Sequence, residues 1–344
     1  MRTVAVTGAS GYIASHLIAQ LLQEGYRVRG TVRSLKKEES FAHLKKLPGA
    51  AERLELFEAE LLAEGVFDQA FQGAEFVFHT ASPFSMNVKD AQKDLVEPAV
   101  RGTLSALEAC VKAGTVRRVV LTSSMAAITD EPDSNHVLSE KDWNAKSTLD
   151  RNPYYFSKML AEKEGWKFIE QQKPAFDLVV INPFIVIGPS IGPAVSESNQ
   201  MFLDLLTGTY PGIMNLTWGF VDVRDVAKAH ILALQPSAKG RYLCASDTLT
   251  MREVVELMSK SGFEKYKLPK LGMDCAVGDY AVKLSSYMQP KGVGSYLRTH
   301  IGRVPKYDNS KIKNELGLAF HDVRETIVET LADLGAQGHI PPLK

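Results

Sequence analysis

Short apolar, β-branched runs alternate through the first half of the chain with stretches whose apolar residues recur every three or four positions. Val4 to Thr7 reads as a buried strand, and Ile13, Leu17, Ile18, Leu21 and Leu22 form the apolar stripe of a helix after it. The same pattern predicts strands over residues 26–33, 53–59, 76–80, 118–123 and 176–182. Between the last three, a helix over about 92–113 carries Leu95, Val96, Val100, Leu104, Leu107 and Val111 at helical spacing, a core-packing face. Strands and helices in strict alternation build a doubly wound parallel sheet with helices on both faces, an α/β fold.

The alternation stops at Asn182, where Pro183, Gly188, Pro189, Gly192 and Pro193 mark an extended loop leaving the sheet. Further on, the pattern predicts a strand over 217–221, helices over 223–234 and 251–260, and a closing amphipathic helix over 323–334. Residues 266–304, with scattered Gly and Pro and weak periodicity, read as a partly irregular cap. The expected division is a nucleotide-binding domain over 1–182 and a smaller, mostly helical substrate lobe over 183–344. Residues 217–245 and about 305–318 are expected to return to the first domain.

Composition narrows the partners. The 344 residues are 45% hydrophobic and 23% charged, enough for a large core, and 40 Lys+Arg balance 40 Asp+Glu. That balance leaves no electrostatic footprint for nucleic acid or an anionic membrane. Cys110, Cys244 and Cys275 are scattered, and His16, His230 and His300 share no metal-binding spacing, so no metal is expected. With the first strand starting at Thr3 and no long apolar segment, the expectation is a cytoplasmic protein.

Two places carry chemistry. The first is the turn Gly8, Ala9, Ser10, Gly11, Tyr12 and Ile13 between strand and helix, the arrangement of a Rossmann-type dinucleotide site. Gly8 permits the tight turn, Gly11 clears the approach of a pyrophosphate, and the helix N-terminus offers it unpaired N–H groups. At the tip of the second strand, from Gly25 to Lys37, there is no Asp or Glu to take a ribose 2′-hydroxyl. Arg33 could fork onto a 2′-phosphate with Lys37 adding a charge, which points to NADP(H). The second place pairs Ser123 and Ser124 at a strand end with Tyr154 and Lys158, four apart and stacked on one helix face. An ammonium beside the phenol favours its phenolate, so Tyr154 can cycle as a proton donor, while Ser124 can hydrogen-bond a substrate oxygen.

With these motifs the chain resembles an extended short-chain dehydrogenase/reductase of the dihydroflavonol 4-reductase-like branch, which also holds yeast-type methylglyoxal/isovaleraldehyde reductases and ketoreductases. The likeness rests on VTGASGYIASHL, the tip ending at Arg33, Phe78 to Pro83, VVLTSSMAA, YYFSKMLAE, Asn182-Pro183 through Gly188-Pro189, and Phe220 to His230. It implies an NADPH-dependent reductase of aldehydes or ketones in which Tyr154 is the general acid, Lys158 its partner and nicotinamide-ribose ligand, and Ser124 the carbonyl binder. It further places Glu60 and Leu61 beside the adenine and Thr80, Ala81 and Ser82 beneath the cofactor. Pro183, Val186 and Ser198 come at its nicotinamide end.

The departures bear on the substrate. Thr129 stands where dihydroflavonol reductases carry an Asn that reads the flavonoid ring, and Asn152 to Lys158 departs from the NWYCYGK signature of cinnamoyl-CoA reductases. Ala99 replaces a proton-relaying Asn. Phe84, Met125, Phe184 and Phe220 are expected near the pocket, matching a medium-sized hydrophobic carbonyl. Asp222 and Asp225 read as helix-capping residues and His79 as a partner of backbone groups. A monomer or a homodimer fits the branch. Two alternatives stay open: a nucleotide-sugar epimerase or dehydratase, and a non-catalytic NADP-sensing regulator.

Overall fold

A computed structural model describes residues 1–82 and 90–342 of the chain, so Phe84 lies outside the described residues. Seven parallel strands form the main sheet: β1 (Thr3–Thr7), β2 (Arg27–Val32), β3 (Leu54–Glu58), β4 (Phe76–His79), β5 (Arg118–Thr122), β6 (Asp177–Pro183) and β7 (Gly240–Cys244). Their order is β7-β6-β5-β4-β1-β2-β3. All adjacent pairs are parallel. Strand order reverses between β1 and β4, which opens a crevice at their carboxyl ends.

Alternation along each strand sends side chains to two cores. Val4 and Val6 face the side packed by helix α1 (Tyr12–Gln23) and the helix Val223–Leu232, while Ala5 faces the opposite core. That opposite core is filled by α2 (Glu97–Ala113) and α3 (Pro153–Gln172), and α2 is preceded by a π-helical turn at Gln92–Val96. Strands β1 to β6 start and end within a residue or two of the expected positions, because buried parallel strands announce themselves as continuous apolar runs, whereas β7 was not among the expected strands.

Two expectations are revised. The strand Thr217–Asp222 does not join the main sheet; it pairs parallel with Ile185–Ile187 and antiparallel with Asp247–Thr250 in a separate three-stranded sheet. Only the later part of 217–245, the helix Val223–Leu232 and β7, packs with the main sheet, as does Ser310–Leu316 with Ile312 and Leu316 buried. The stretch 266–304, expected to be partly irregular, also holds helices Ala276–Ser285 and Lys291–His300. The first of these buries only Gly278 and Val282, and leaves Val277 80%, Tyr280 72% and Leu284 62% exposed. A helix that turns its large apolar residues outward has no core-facing stripe to read.

Of the two aspartates expected to cap, Asp222 does so, whereas Asp225 lies inside the helix Val223–Leu232 and accepts from His321 N at 2.8 Å and pairs with His321 Nδ1. Asp222 accepts from Arg224 N at 2.7 Å to cap Val223–Leu232, and Thr250 with Glu253 closes a capping box. No helix among the described residues is long and apolar enough to cross a membrane.

Candidate active site

The glycine turn sits at the reversal of strand order. Gly8 has φ +66°, and a Cβ there would meet Ala81 at 3.2 Å, so the position demands glycine twice over. Ala9 N donates to Thr31 O at 2.7 Å, tying the turn to β2. No side chain caps α1 at Gly11, which leaves the N–H groups of its first turn for a ligand.

Below the turn, Thr7 Oγ1 accepts from Thr80 N at 3.1 Å and Ala81 N at 3.0 Å. With both lone pairs used, its hydroxyl proton points to His79 Nδ1 at 2.9 Å. His79 thus pairs with a side chain rather than with backbone groups. Burial, reinforced by the charge of Lys158, pushes its pKa down to about 3 and keeps it neutral.

On the opposite wall, β5 ends at Thr122 and the chain turns through Ser123 and Ser124. Ser124 Oγ accepts from Ala126 N at 3.2 Å and caps the single turn Met125–Ala127. Helix α3 starts after Asn152, a non-glycine residue at φ +49°. The surroundings hold it there: Asn152 N donates to Ser295 Oγ at 3.0 Å, and its amide donates to Thr299 Oγ1 at 3.0 Å and to Asp130. The helix start is thereby clipped to Lys291–His300, which fixes the rotation of the face bearing Tyr154 and Lys158.

That face meets the serine turn. Burial raises the Tyr154 phenol above its usual range, and a hydrogen bond with Ser124 draws it part of the way back. Lys158 is 8% exposed; burial lowers its ammonium to about 8, with Glu162 one turn away opposing the fall.

A cavity of about 850 Å³ runs between the two walls, room for a dinucleotide end and a small substrate. Of the expected residues, Gly8, Ser10, Gly11, Tyr12, Ile13, Thr80, Ser82, Ser124, Met125, Tyr154, Lys158, Pro183, Phe184, Val186 and Ser198 line it. Arg33 and Lys37 lie exposed past the end of β2, outside its lining, as does exposed Glu60. Leu61 packs where a Cβ on Gly102 would stand. Ala9 is fully buried behind the turn.

Two expected pocket residues are elsewhere. Phe220 is fully buried in the second core, with its ring 6.2 Å from that of Trp218, and Trp218 takes the cavity position two residues earlier. Thr129 is 8% exposed behind the Met125–Ala127 turn, its N–H bonded to Met125 O at 3.0 Å.

Among the residues missed are aromatic ones: Tyr155, Tyr210, Trp218, Tyr296 and His300 line the wall, and His43 lies 3.0 Å from Ser15 Oγ beside the glycine turn. Tyr296 stacks on His300 at 4.1 Å, and Tyr155 Oη lies 3.4 Å from His300 Nε2. Tyr155 was legible as the neighbour of Tyr154; the others come from four separate segments with no shared pattern. Opposite them, a Cβ on Gly219 would reach within 2.2 Å of Phe184 Cδ1. Gly219→Ala is expected to push that ring into the cavity and raise the KM of a carbonyl substrate roughly tenfold. Steady-state kinetics would show it, with the KM for NADPH unmoved; equal change in both would mean the whole site has shifted.

Comparison with known proteins agrees with this geometry. Residues 4–245 match the NAD dependent epimerase/dehydratase family. Cinnamoyl-CoA reductase CAD2 of Medicago truncatula is 44% identical over 79% of this chain and 83% of its own length. Cinnamoyl-CoA reductase 1 of Petunia hybrida is 40% identical over 99% and 94%. The crystal structure of yeast methylglyoxal/isovaleraldehyde reductase Gre2 complexed with NADPH superposes with a TM-score of 0.81 at 30% identity, covering 98% of this chain and all of that one.

Proposed function

The chain belongs to the NAD dependent epimerase/dehydratase family, and on that premise we propose that it is an NADPH-dependent reductase that converts an aldehyde or ketone to an alcohol. The observation that carries the reading is the meeting of Ser124, Tyr154 and Lys158 on one wall of a cavity whose other wall is an uncapped, glycine-led helix N-terminus.

The residues present fit NADPH. Gly8 and Gly11 leave a cradle that a side chain would fill, and the first-turn N–H groups of α1 suit the pyrophosphate. Arg33 and Lys37 have no carboxylate within ion-pair distance among the described residues, and are available to a 2′-phosphate. The carboxylate nearest the strand tip, Glu58, is occupied by Leu35 N at 2.8 Å and Ser34 Oγ at 3.3 Å. When bound, NADPH supplies a hydride from C4 of its nicotinamide.

The protein's part is the proton. Ser124 Oγ holds the carbonyl oxygen as negative charge grows on it, and Tyr154 Oη gives that oxygen its proton. Lys158, charged below about pH 8, stabilises the phenolate left behind until solvent reprotonates it.

Substrate class follows from the lining. Lys158 is the only Lys or Arg among the described residues lining the cavity, and Tyr155, Tyr210, Trp218, Tyr296 and Phe184 give it aromatic walls. Such a pocket suits an uncharged aromatic or branched apolar carbonyl better than a polyanionic thioester, although two of the relatives are named for cinnamoyl-CoA.

NADPH oxidation followed at 340 nm against phenylacetaldehyde, isovaleraldehyde, methylglyoxal, an aromatic β-ketoester, dihydroquercetin and cinnamoyl-CoA tests the reading. Turnover of the free carbonyls with NADPH and not NADH is expected. Fast turnover of the thioester alone would overturn the substrate class, and none at all would overturn the reductase.

A further inference from the structure

Glu162 lies one turn past Lys158 and two past Tyr154 on α3, and the reaction described above gives it no task. It is 1% exposed, and a carboxylate so buried stays ionised only if its oxygens are paired. They are. Oε1 accepts from Arg241 Nε at 2.6 Å and Trp166 Nε1 at 3.2 Å; Oε2 accepts from Ser123 Oγ at 2.5 Å and Asn182 Nδ2 at 2.8 Å.

Arg241 is itself pinned. Its guanidinium lies 3.8 Å over the Trp143 ring, and Nη1 donates to the carbonyls of Glu140 and Asp142 at 2.9 and 2.6 Å. The carboxylate is therefore held in one place, and two of its four donors lead straight to the site. Ser123 is joined covalently to Ser124, and Asn182 Nδ2 shares a second hydrogen bond, at 3.2 Å, with the carbonyl oxygen of Ser124. An ion pair placed only to join β7 to α3 would not need those two contacts.

We propose that Glu162 is a positioning residue: gripped by Arg241, its carboxylate holds the Ser123–Ser124 turn against the tyrosine–lysine face of α3 and sustains the positive charge on Lys158. The inference rests on the reading of Ser124, Tyr154 and Lys158 given above.

The second half stands on helix geometry: the four-residue spacing sets the carboxylate one turn from Lys158 on the same face of α3. Tyr154 lies on the same helix, and neutral His79 faces Lys158 from the end of β4. Among the described residues Glu162 is the negative group that acts on it, opposing the burial that favours loss of its proton.

Glu162→Gln tests this. All four partners donate hydrogens, so an amide can satisfy one side and must turn its NH2 towards the other. Expected are a fall in kcat of about tenfold or more, an NADPH Kd within about twofold of wild type, and an alkaline limb of kcat/KM moved roughly half a unit or more to lower pH. Glu162→Asp, which restores the charge but not the reach, should bring back the limb while kcat stays low. If Glu162→Gln fails to fold, Ser123→Ala carries the test, with kcat lowered severalfold and the limb unmoved.

Wild-type kcat in Glu162→Gln or, failing that, in Ser123→Ala overturns the proposal. So does an equal loss in Glu162→Gln and Glu162→Asp with the limb unmoved, the behaviour of a structural strut. Tyr154→Phe, assayed alongside, separates the two levels. Activity there sinks the site reading itself, whereas inactive Tyr154→Phe with wild-type Glu162→Gln sinks only the role of Glu162.

Discussion

Tyr154→Phe is expected to lower kcat for carbonyl reduction by about 100-fold or more while leaving NADPH affinity nearly unchanged. In the proposed reaction the phenol is the acid; it lies at the cavity beside Ser124, and removing one oxygen leaves the ring's packing against Tyr155, at 6.0 Å between centroids, intact. The alkoxide formed by hydride addition would then have to take its proton from water in a largely apolar cavity. Single-turnover kinetics with saturating NADPH, beside a fluorescence titration of the cofactor, measures both quantities. A variant that reduces the same carbonyl at the wild-type rate would remove Tyr154 from the chemistry.

Arg33→Asp is expected to weaken NADPH by about 10- to 100-fold and to leave NADH unchanged or improved, reversing the preference. The effect should be large because Arg33 is the one group at this tip that can fork onto a phosphate among the described residues, Lys37 adding only a point charge. Arg33 is exposed at the end of β2, and the nearby carboxylate of Glu58 is already taken by Leu35 N and Ser34 Oγ. An aspartate at this tip would repel a 2′-phosphate and could accept from a 2′-hydroxyl. The ratio of Kd values for the two cofactors is the quantity to measure. If both change alike, the 2′-phosphate is read elsewhere, and Lys37 and His43 become the next positions to substitute.

Some of this was legible in the chain because it is local. The buried strands of the main sheet appear as apolar runs wherever both faces are covered, as in β5, all five of whose residues are buried. The glycine turn and the four-residue spacing of Tyr154 and Lys158 need no distant partner to be recognised, since turn sterics and helix geometry set them within a few residues. Which apolar residues face the cavity is not local: Met125 and Phe184 do, and Phe220 does not. Phe220 and Trp218 sit on the same strand, share its chemistry and belong to the same core, yet of the two only Trp218 also lines the cavity.

By itself, then, the sequence determined the alternating sheet and helices, the phosphate-binding turn, and the identity and spacing of the serine, tyrosine and lysine, because backbone sterics and side-chain period act over short stretches. The tertiary structure alone decided that Tyr155, Tyr210, Trp218, Tyr296 and His300 share one wall, that the helix Ala276–Ser285 exposes its apolar side, and that Glu162 meets Arg241 from 79 residues away. Burial and charge pairing depend on what lies across a gap in space, and no pattern along the chain records that distance.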